Sequence, residues 1–243
     1  MKGKVMQNKG LDHHNHEAKD SDKVSPLFEE YLESILNMTT EGRPAIGARL
    51  AERMNVKPAT VVGAIDRLKR DNLVTVDEKT KGIHLTDEGR EIAISLTRRH
   101  RLAERLLVDV LGLSWAEAHD EACELEHAIS PKVEKALTEF LGNPQTCPHG
   151  NPIPGSGAII NPEVRPLRQA GFGTDVRISY ISEEAEHEPG LLQYLEQNNL
   201  VPGTTLHIKG ISPFEENLIM INSEGRELTL GTKTAQRIYV LPA

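Results

Sequence analysis

The chain has 243 residues, enough for one large or two to three small domains, and is 38% hydrophobic and 26% charged, which is ordinary for a soluble protein. No apolar run is long enough for a membrane span and no signal-peptide core opens the chain, so the expectation is a cytoplasmic protein with no membrane partner. The net charge of −8 argues against nonspecific nucleic-acid binding, and two cysteines, Cys123 and Cys147, exclude a disulfide framework or a four-cysteine cluster within one chain.

Residues 1–25 are polar and without periodicity, and read as a disordered tail; its His13, His14 and His16 are expected to be solvated rather than to hold a metal. A first helix is expected from Pro26 to about Met38, with Ser25 as its cap and Glu30 and Glu33 as an acidic pair at i, i+3. A short helix over residues 46–54, a tight turn at 55–57, a helix over 58–70 and a hairpin of 73–76 with 83–85 make a winged helix-turn-helix over residues 26–86. The third helix would enter a DNA major groove with Lys57, Thr60 and Gly63 toward base edges. Arg43, Arg49, Arg67, Lys79 and Lys81 are candidates for phosphate contacts. The same architecture also serves protein contacts, which is the competing reading of this unit.

Residues 87–143 carry twelve acidic against seven basic side chains. Thr86 opens a fourth helix that runs to about Leu111. Ser114 with Glu117 forms a capping box for a fifth, and Ser130-Pro131 starts a sixth that ends at Gly142. The apolar positions Leu102, Leu106, Leu107, Val110 and Leu111 exceed what a helical pair needs, and predict a homodimer interface. Residues 144–174 are a Pro/Gly-rich linker in which Cys147 and His149 could ligate a metal, with a turn role favoured. Residues 175–243 alternate over about five strands and one short helix at 190–197, which predicts a small β-barrel. The fold class is therefore mainly α with a small β-barrel.

The chemistry concentrates in the middle. His100 and Glu104 lie one helical turn apart, and His119, Cys123, Glu126 and His127 fall at i, i+4, i+7 and i+8 of the fifth helix. One such pair is ordinarily a solvated contact, and a lone cysteine is ordinarily core. Imidazole, thiol and carboxylate along one stripe are costly to bury without a partner, and a divalent cation is the simplest one.

Residues 99–107 (RHRLAERLL), 119–127 (HDEACELEH) and 150–155 (GNPIPG) resemble the diphtheria-toxin-repressor family of metal-dependent transcriptional regulators. The resemblance covers residues 26–243. It implies a winged helix, a helical metal-binding and dimerisation domain, and a C-terminal barrel of the Src-homology or ferrous-transport type. It also implies one metal on His100, Glu104 and His119, completed from the barrel. Glu188 occupies the matching place there, with His187 as an alternative, while Leu191 stands where iron-responsive members carry a polar ligand. A second metal would use Cys123, Glu126, His127 and, from the first helix, Glu30 with Glu33. Iron-responsive members have Met at the place of Glu30; manganese-responsive members have acids at both Glu30 and Glu33, and usually a carboxylate in place of Cys123. Carboxylates suit hard Mn(II) and a thiolate suits softer ions, so Mn(II) comes first and Fe(II) second, with Co(II), Ni(II) or Zn(II) able to substitute in vitro. The implied partners are operator double-stranded DNA and a second copy of the chain, with no small-molecule substrate. The implied function is metal-triggered repression of metal-uptake genes. Two other classes remain at this point. A metalloenzyme lacks a second constellation for nucleophilic or acid–base work; a metal-independent regulator would bind DNA without the ion.

Overall fold

The computed structural model describes residues 24–243; the three tail histidines lie outside the described residues. Helix α1 (Pro26–Thr40) buries Tyr31, Leu32, Ile35 and Leu36 against α2 (Gly47–Arg53), α3 (Pro58–Arg70) and the hairpin of β1 (Val74–Val76) and β2 (Ile83–Leu85). These elements share one apolar core that includes Leu50, Val61, Ile65, Leu68 and Ile83. The hairpin turns because Asp77 Oδ1 accepts from the backbone N–H groups of Lys79 (2.8 Å) and Thr80 (2.7 Å), and Lys81 adopts φ +57°. Ser25 does not cap α1 with its side chain; Pro26, whose missing N–H is harmless in a first turn, starts the helix instead.

The long helix α4 (Asp87–Arg105) is capped by Thr86, whose hydroxyl accepts from Gly89 N–H at 3.1 Å. It does not remain an α-helix to residue 111: Leu106–Val110 form a wider π turn. Helix α5 (Trp115–Leu125) has the Ser114–Glu117 capping box, and α6 (Pro131–Phe140) starts on Ser130. A second core joins α4, α5 and α6 through Leu102, Ala103, Leu107, Ala118, Ala122 and Leu137. This corrects the expected dimer face. Leu102 and Leu107 are buried within one chain, and of the five apolar positions only Val110 and Leu111 stand well exposed.

The C-terminal part contains β3 (Arg165–Pro166), β4 (Thr174–Ile181), α7 (Glu183–Glu186), α8 (Leu191–Gln197), β5 (Thr205–Ile211), β6 (Asn217–Asn222), β7 (Glu227–Gly231), α9 (Thr232–Ala235) and β8 (Ile238–Pro242). The expected barrel is instead an open antiparallel sheet of order β3-β8-β4-β5-β6-β7, whose end strands β3 and β7 do not pair with each other. With only two residues in β3, the first strand is too short to close the ring. Helices α8 and α9 and the ring of Trp115 complete its core. Trp115 thereby inserts α5 into the C-terminal core, and its backbone N–H points at the Glu196 carboxylate.

The loop preceding this sheet is tied down in a particular way. Gly150 has φ +89°, and a Cβ there would lie 2.4 Å from the Ser179 carbonyl oxygen, at the bulge where β4 shifts register against β8. Only glycine permits both the conformation and the approach. The His149 carbonyl accepts from Ile181 N–H at 2.9 Å beside it, which aims the His149 side chain at α4 and α5.

Candidate metal centre

Two groups of polar side chains meet where α1, α4, α5 and α7 converge. In the first, His100 Nε2 lies 3.1 Å from Glu104 Oε1, which is also 3.3 Å from His119 Nδ1 and 3.2 Å from His149 Nδ1. Glu186 reaches the same spot from α7, with Oε2 at 3.6 Å from His119 and Oε1 at 3.2 Å from His149. The donor atoms of His100, Glu104, His119 and Glu186 lie within 4.8 Å of one another, as do those of Glu104, Cys147 and His149, and all six residues are buried.

The second group sits at the end of α5. The helix stops at Leu125, so Glu126 and His127 belong to the following turn, and the expected single stripe divides. His119 turns toward Glu104, while Glu126 and His127 face α1. His100 Nδ1 is 2.6 Å from Glu126 Oε2. His127 is 2.7 Å from Glu29 and 3.5 Å from both Glu30 and Glu126. Glu33 accepts from the Thr97 hydroxyl at 2.9 Å. Glu30, Glu33, Cys123 and Glu126 line a cavity of about 230 Å³.

Electrostatics explain why this arrangement is unsettled without a cation. Burial, and then the neighbouring Glu126 carboxylate, push Glu33 up to about 7. Burial and the nearby Glu183 carboxylate push Glu186 up to about 7. Burial also raises Cys123 and Glu126, and pushes Cys147 up to about 11. Glu104 moves the other way: against its burial, the imidazoles of His149 and His100 hold it well below the carboxylate range. Several buried atoms here lack a hydrogen-bond partner, among them Glu104 Oε2, His119 Nε2, His127 Nε2, Glu186 Oε2 and both ring nitrogens of His149. Such atoms are costly unless something accepts their lone pairs. A buried set of carboxylate oxygens and imidazole nitrogens converging in this way fits a divalent cation.

Several sequence expectations move. Glu188 is not in the cluster; it lies past the end of α7 and pairs with Arg237, with 41% of its side chain exposed. Glu186, two residues earlier, occupies that place. Its signal was the Glu183/Glu186 pair at i, i+3 on one helical turn. His149 is fully buried in the cluster rather than serving only a turn, and the Cys-Pro-His-Gly spacing carried that signal. Glu29 partners His127 and was not singled out. His187 lies against His119, ring centroids 5.0 Å apart, and Leu191 is buried in the C-terminal core. On the DNA-reading side, Lys57, Thr60, Gly63, Arg67, Lys79 and Lys81 are exposed, as are Lys69 and Arg70. Arg43 is instead half-buried, 2.8 Å from Glu41 and 2.9 Å from Glu184, and Arg49 donates to the Pro44 carbonyl at 3.2 Å.

A three-helix unit with a hairpin wing, joined to a buried cluster of imidazoles and carboxylates, defines a metal-dependent transcriptional repressor. Residues 23–83 match the family model described as the iron-dependent repressor N-terminal DNA-binding domain. Residues 86–155 match its metal-binding and dimerisation domain, and residues 165–242 match the FeoA domain. The chain belongs to the iron-dependent repressor family, which includes the diphtheria toxin repressors. It is 36% identical over 222 residues to the iron-dependent repressor IdeR of Mycobacterium leprae, an alignment covering 87% of this chain and 95% of that protein. Among solved structures it resembles a manganese-dependent transcriptional repressor in complex with manganese (TM-score 0.78, 32% identity, 89% of this chain and 100% of that one). It also resembles ScaR with bound Zn²⁺ (TM-score 0.75, 31% identity, 89% and 99%). The relatives are repressors, not enzymes, and no helix among the described residues is long and apolar enough to cross a membrane.

Proposed function

We propose that this chain is a homodimeric, manganese-responsive repressor of metal-uptake genes, with Fe(II) as its second ion and Co(II), Ni(II) or Zn(II) able to substitute in vitro. One ion would be held by His100, Glu104, His119 and Glu186, and Cys147 with His149 offers further donors beside Glu104. A second would be held by Glu30, Glu33, Cys123, Glu126 and His127. The division of labour in this reading is a DNA reader (26–86), a metal and dimer unit (87–143), a connector (144–174) and a β unit (175–243) that lends Glu186.

The observation that carries the reading is the set of buried, unpartnered donor atoms in the first group, beside a second group in which His127 and Glu126 meet Glu30 and Glu33 of α1, a helix of the DNA reader. A bound divalent cation supplies the positive charge that these clustered carboxylates lack. With that charge in place, Glu30, Glu33 and Glu126 would be held together as donors, and α1 would be held against the end of α5. Because α1 shares a core with α3, its position sets where Lys57, Thr60 and Gly63 sit relative to the same residues of the second copy. Gly63 has no side chain for a base edge, so part of the selectivity comes from DNA shape. The preference for Mn(II) rests on the hard oxygen donors of Glu30 and Glu33; the relatives include both manganese-dependent and iron-dependent repressors.

The test is an anaerobic titration of metal-free protein with Mn²⁺ and Fe²⁺, following binding to its own promoter DNA by anisotropy. Tightening of about tens-fold to a hundredfold, equivalent to roughly 2–3 kcal/mol of coupling, is expected with Mn²⁺. Operator binding that ignores every ion would sink the reading.

A further inference from the structure

Helix α7 is a single turn, yet it and the residue after it reach three separate parts of the molecule. Glu183 pairs with Arg101 of α4. Glu186 stands in the metal cluster and accepts from Asn151 Nδ2 at 3.0 Å. Glu184, on the opposite side, lies 2.9 Å from Arg43 in the α1–α2 loop and 3.3 Å from Arg237 before β8. His187 Nε2 lies 2.7 Å from Arg53 Nη2 on α2, and Arg53 in turn donates to Ser34 of α1 at 3.2 Å. A guanidinium carries only donors, so the His187 ring nitrogen accepts from Arg53.

We propose that α7 is the link that aligns the DNA reader with the metal cluster, with Arg43 and Arg53 as positioning residues for operator binding and Arg43 therefore not a phosphate contact. Arg43 is already neutralised by two carboxylates, Glu41 and Glu184, which leaves little charge for a phosphate. A cleft of about 940 Å³ opens beside these contacts, between α2 and the C-terminal sheet, so the two units meet across sparse packing and the ion pairs carry the alignment. A one-turn helix has no internal joint: a shift of Glu186 carries Glu184 and His187 with it. Arg43 and Arg53 follow, and with them the loop and helix that precede α3. The proposal rests on the metal reading above, since Glu186 is the ligand that would fix α7.

The experiment is a charge exchange in full-length protein, with Mn²⁺ binding and operator binding measured separately. Glu184→Arg is expected to keep the Mn²⁺ stoichiometry of the wild type and to weaken operator binding at saturating Mn²⁺ by about five- to tenfold. Arg43→Glu is expected to weaken it similarly, and the double variant to recover to within about threefold of wild type. If Arg43→Glu weakens binding, Glu184→Arg alone does not, and the double variant stays weak, then Arg43 is a phosphate contact and the proposal falls. Should the reversed charge at 184 fail to fold, Glu184→Gln and Arg43→Gln replace it. Each alone is then expected to weaken binding, with the pair no weaker than either; additive losses overturn the link. The comparison is made on total operator affinity. A wild type indifferent to Mn²⁺ would therefore sink the metal reading, while rescue by charge exchange would still uphold the positioning role.

Discussion

Glu30 lies 3.5 Å from His127 and half-exposed at the rim of the second group, where a change of donor alters the ligand set without opening the core. Glu30→Met replaces a hard oxygen by a thioether, and the order of ions that activate operator binding is expected to move toward Fe²⁺; an unchanged order would refute the selectivity argument. Glu126 is a different case because it is buried against His100. Glu126→Ala is expected to remove at least tenfold of the metal-stimulated operator affinity while size-exclusion chromatography still finds the dimer. The buried imidazole left without its partner should cost about 1–3 kcal/mol of stability. Protons report on two other carboxylates of the two groups. Glu33 and Glu186 ionise near 7 in the fold and near 4.5 when unfolded, so the folded state binds more protons between those values. The stability they confer is present below about 4.5 and is lost as pH rises through 7. Metal-free protein should therefore melt at lower temperature at pH 8 than at pH 6 by this contribution. Added Mn²⁺ should protect more at the higher pH, because its ligands must shed those protons. Thermal unfolding at both pH values, with and without Mn²⁺, measures it.

At the scale of elements, the loop before the sheet depends on one residue. Gly150→Ala puts a Cβ against the Ser179 carbonyl and forces an L side chain to φ +89°. A loss of roughly 1–3 kcal/mol is expected, with His149 displaced from the cluster; wild-type Mn²⁺ affinity in that variant would show that His149 does not matter to the ion. This element also marks where sequence reasoning stops. Helices α1 to α6 and the hairpin were legible because caps, prolines and apolar periodicity act locally, and α3 spans the expected residues. His100, Glu104 and His119 were legible because helical spacing brought two of them together and the family blocks carried all three. Glu186 and His149 were harder: they lie 82 and 45 residues from Glu104 along the chain, and are brought to it by the docking of a sheet that no local pattern encodes. The closure of that sheet was misjudged for the same reason. Alternation identifies strands, but a two-residue first strand at the edge leaves no periodic trace.

For the whole molecule, ligand removal should be felt beyond the cluster, since Glu104, Glu186 and the residues around Glu33 belong to three different packing units. At an ion concentration a hundredfold above the dissociation constant, binding adds about 2.7 kcal/mol, which for a chain of this size raises the melting temperature by roughly 5–10 °C. A chelator should reverse the shift, and its absence would mean that the cluster holds no ion. His100 has a consequence of another kind. Its two nitrogens face the two groups, Nε2 toward Glu104 and Nδ1 toward Glu126. A neutral imidazole owns one lone pair and one N–H, so it can be a ligand on one side only, while acting as a hydrogen-bond donor on the other. With Nε2 given to an ion beside Glu104, the proton would rest on Nδ1 and donate to the Glu126 carboxylate. Filling the first group would thereby preset one carboxylate of the second, and a metal titration should resolve two unequal steps.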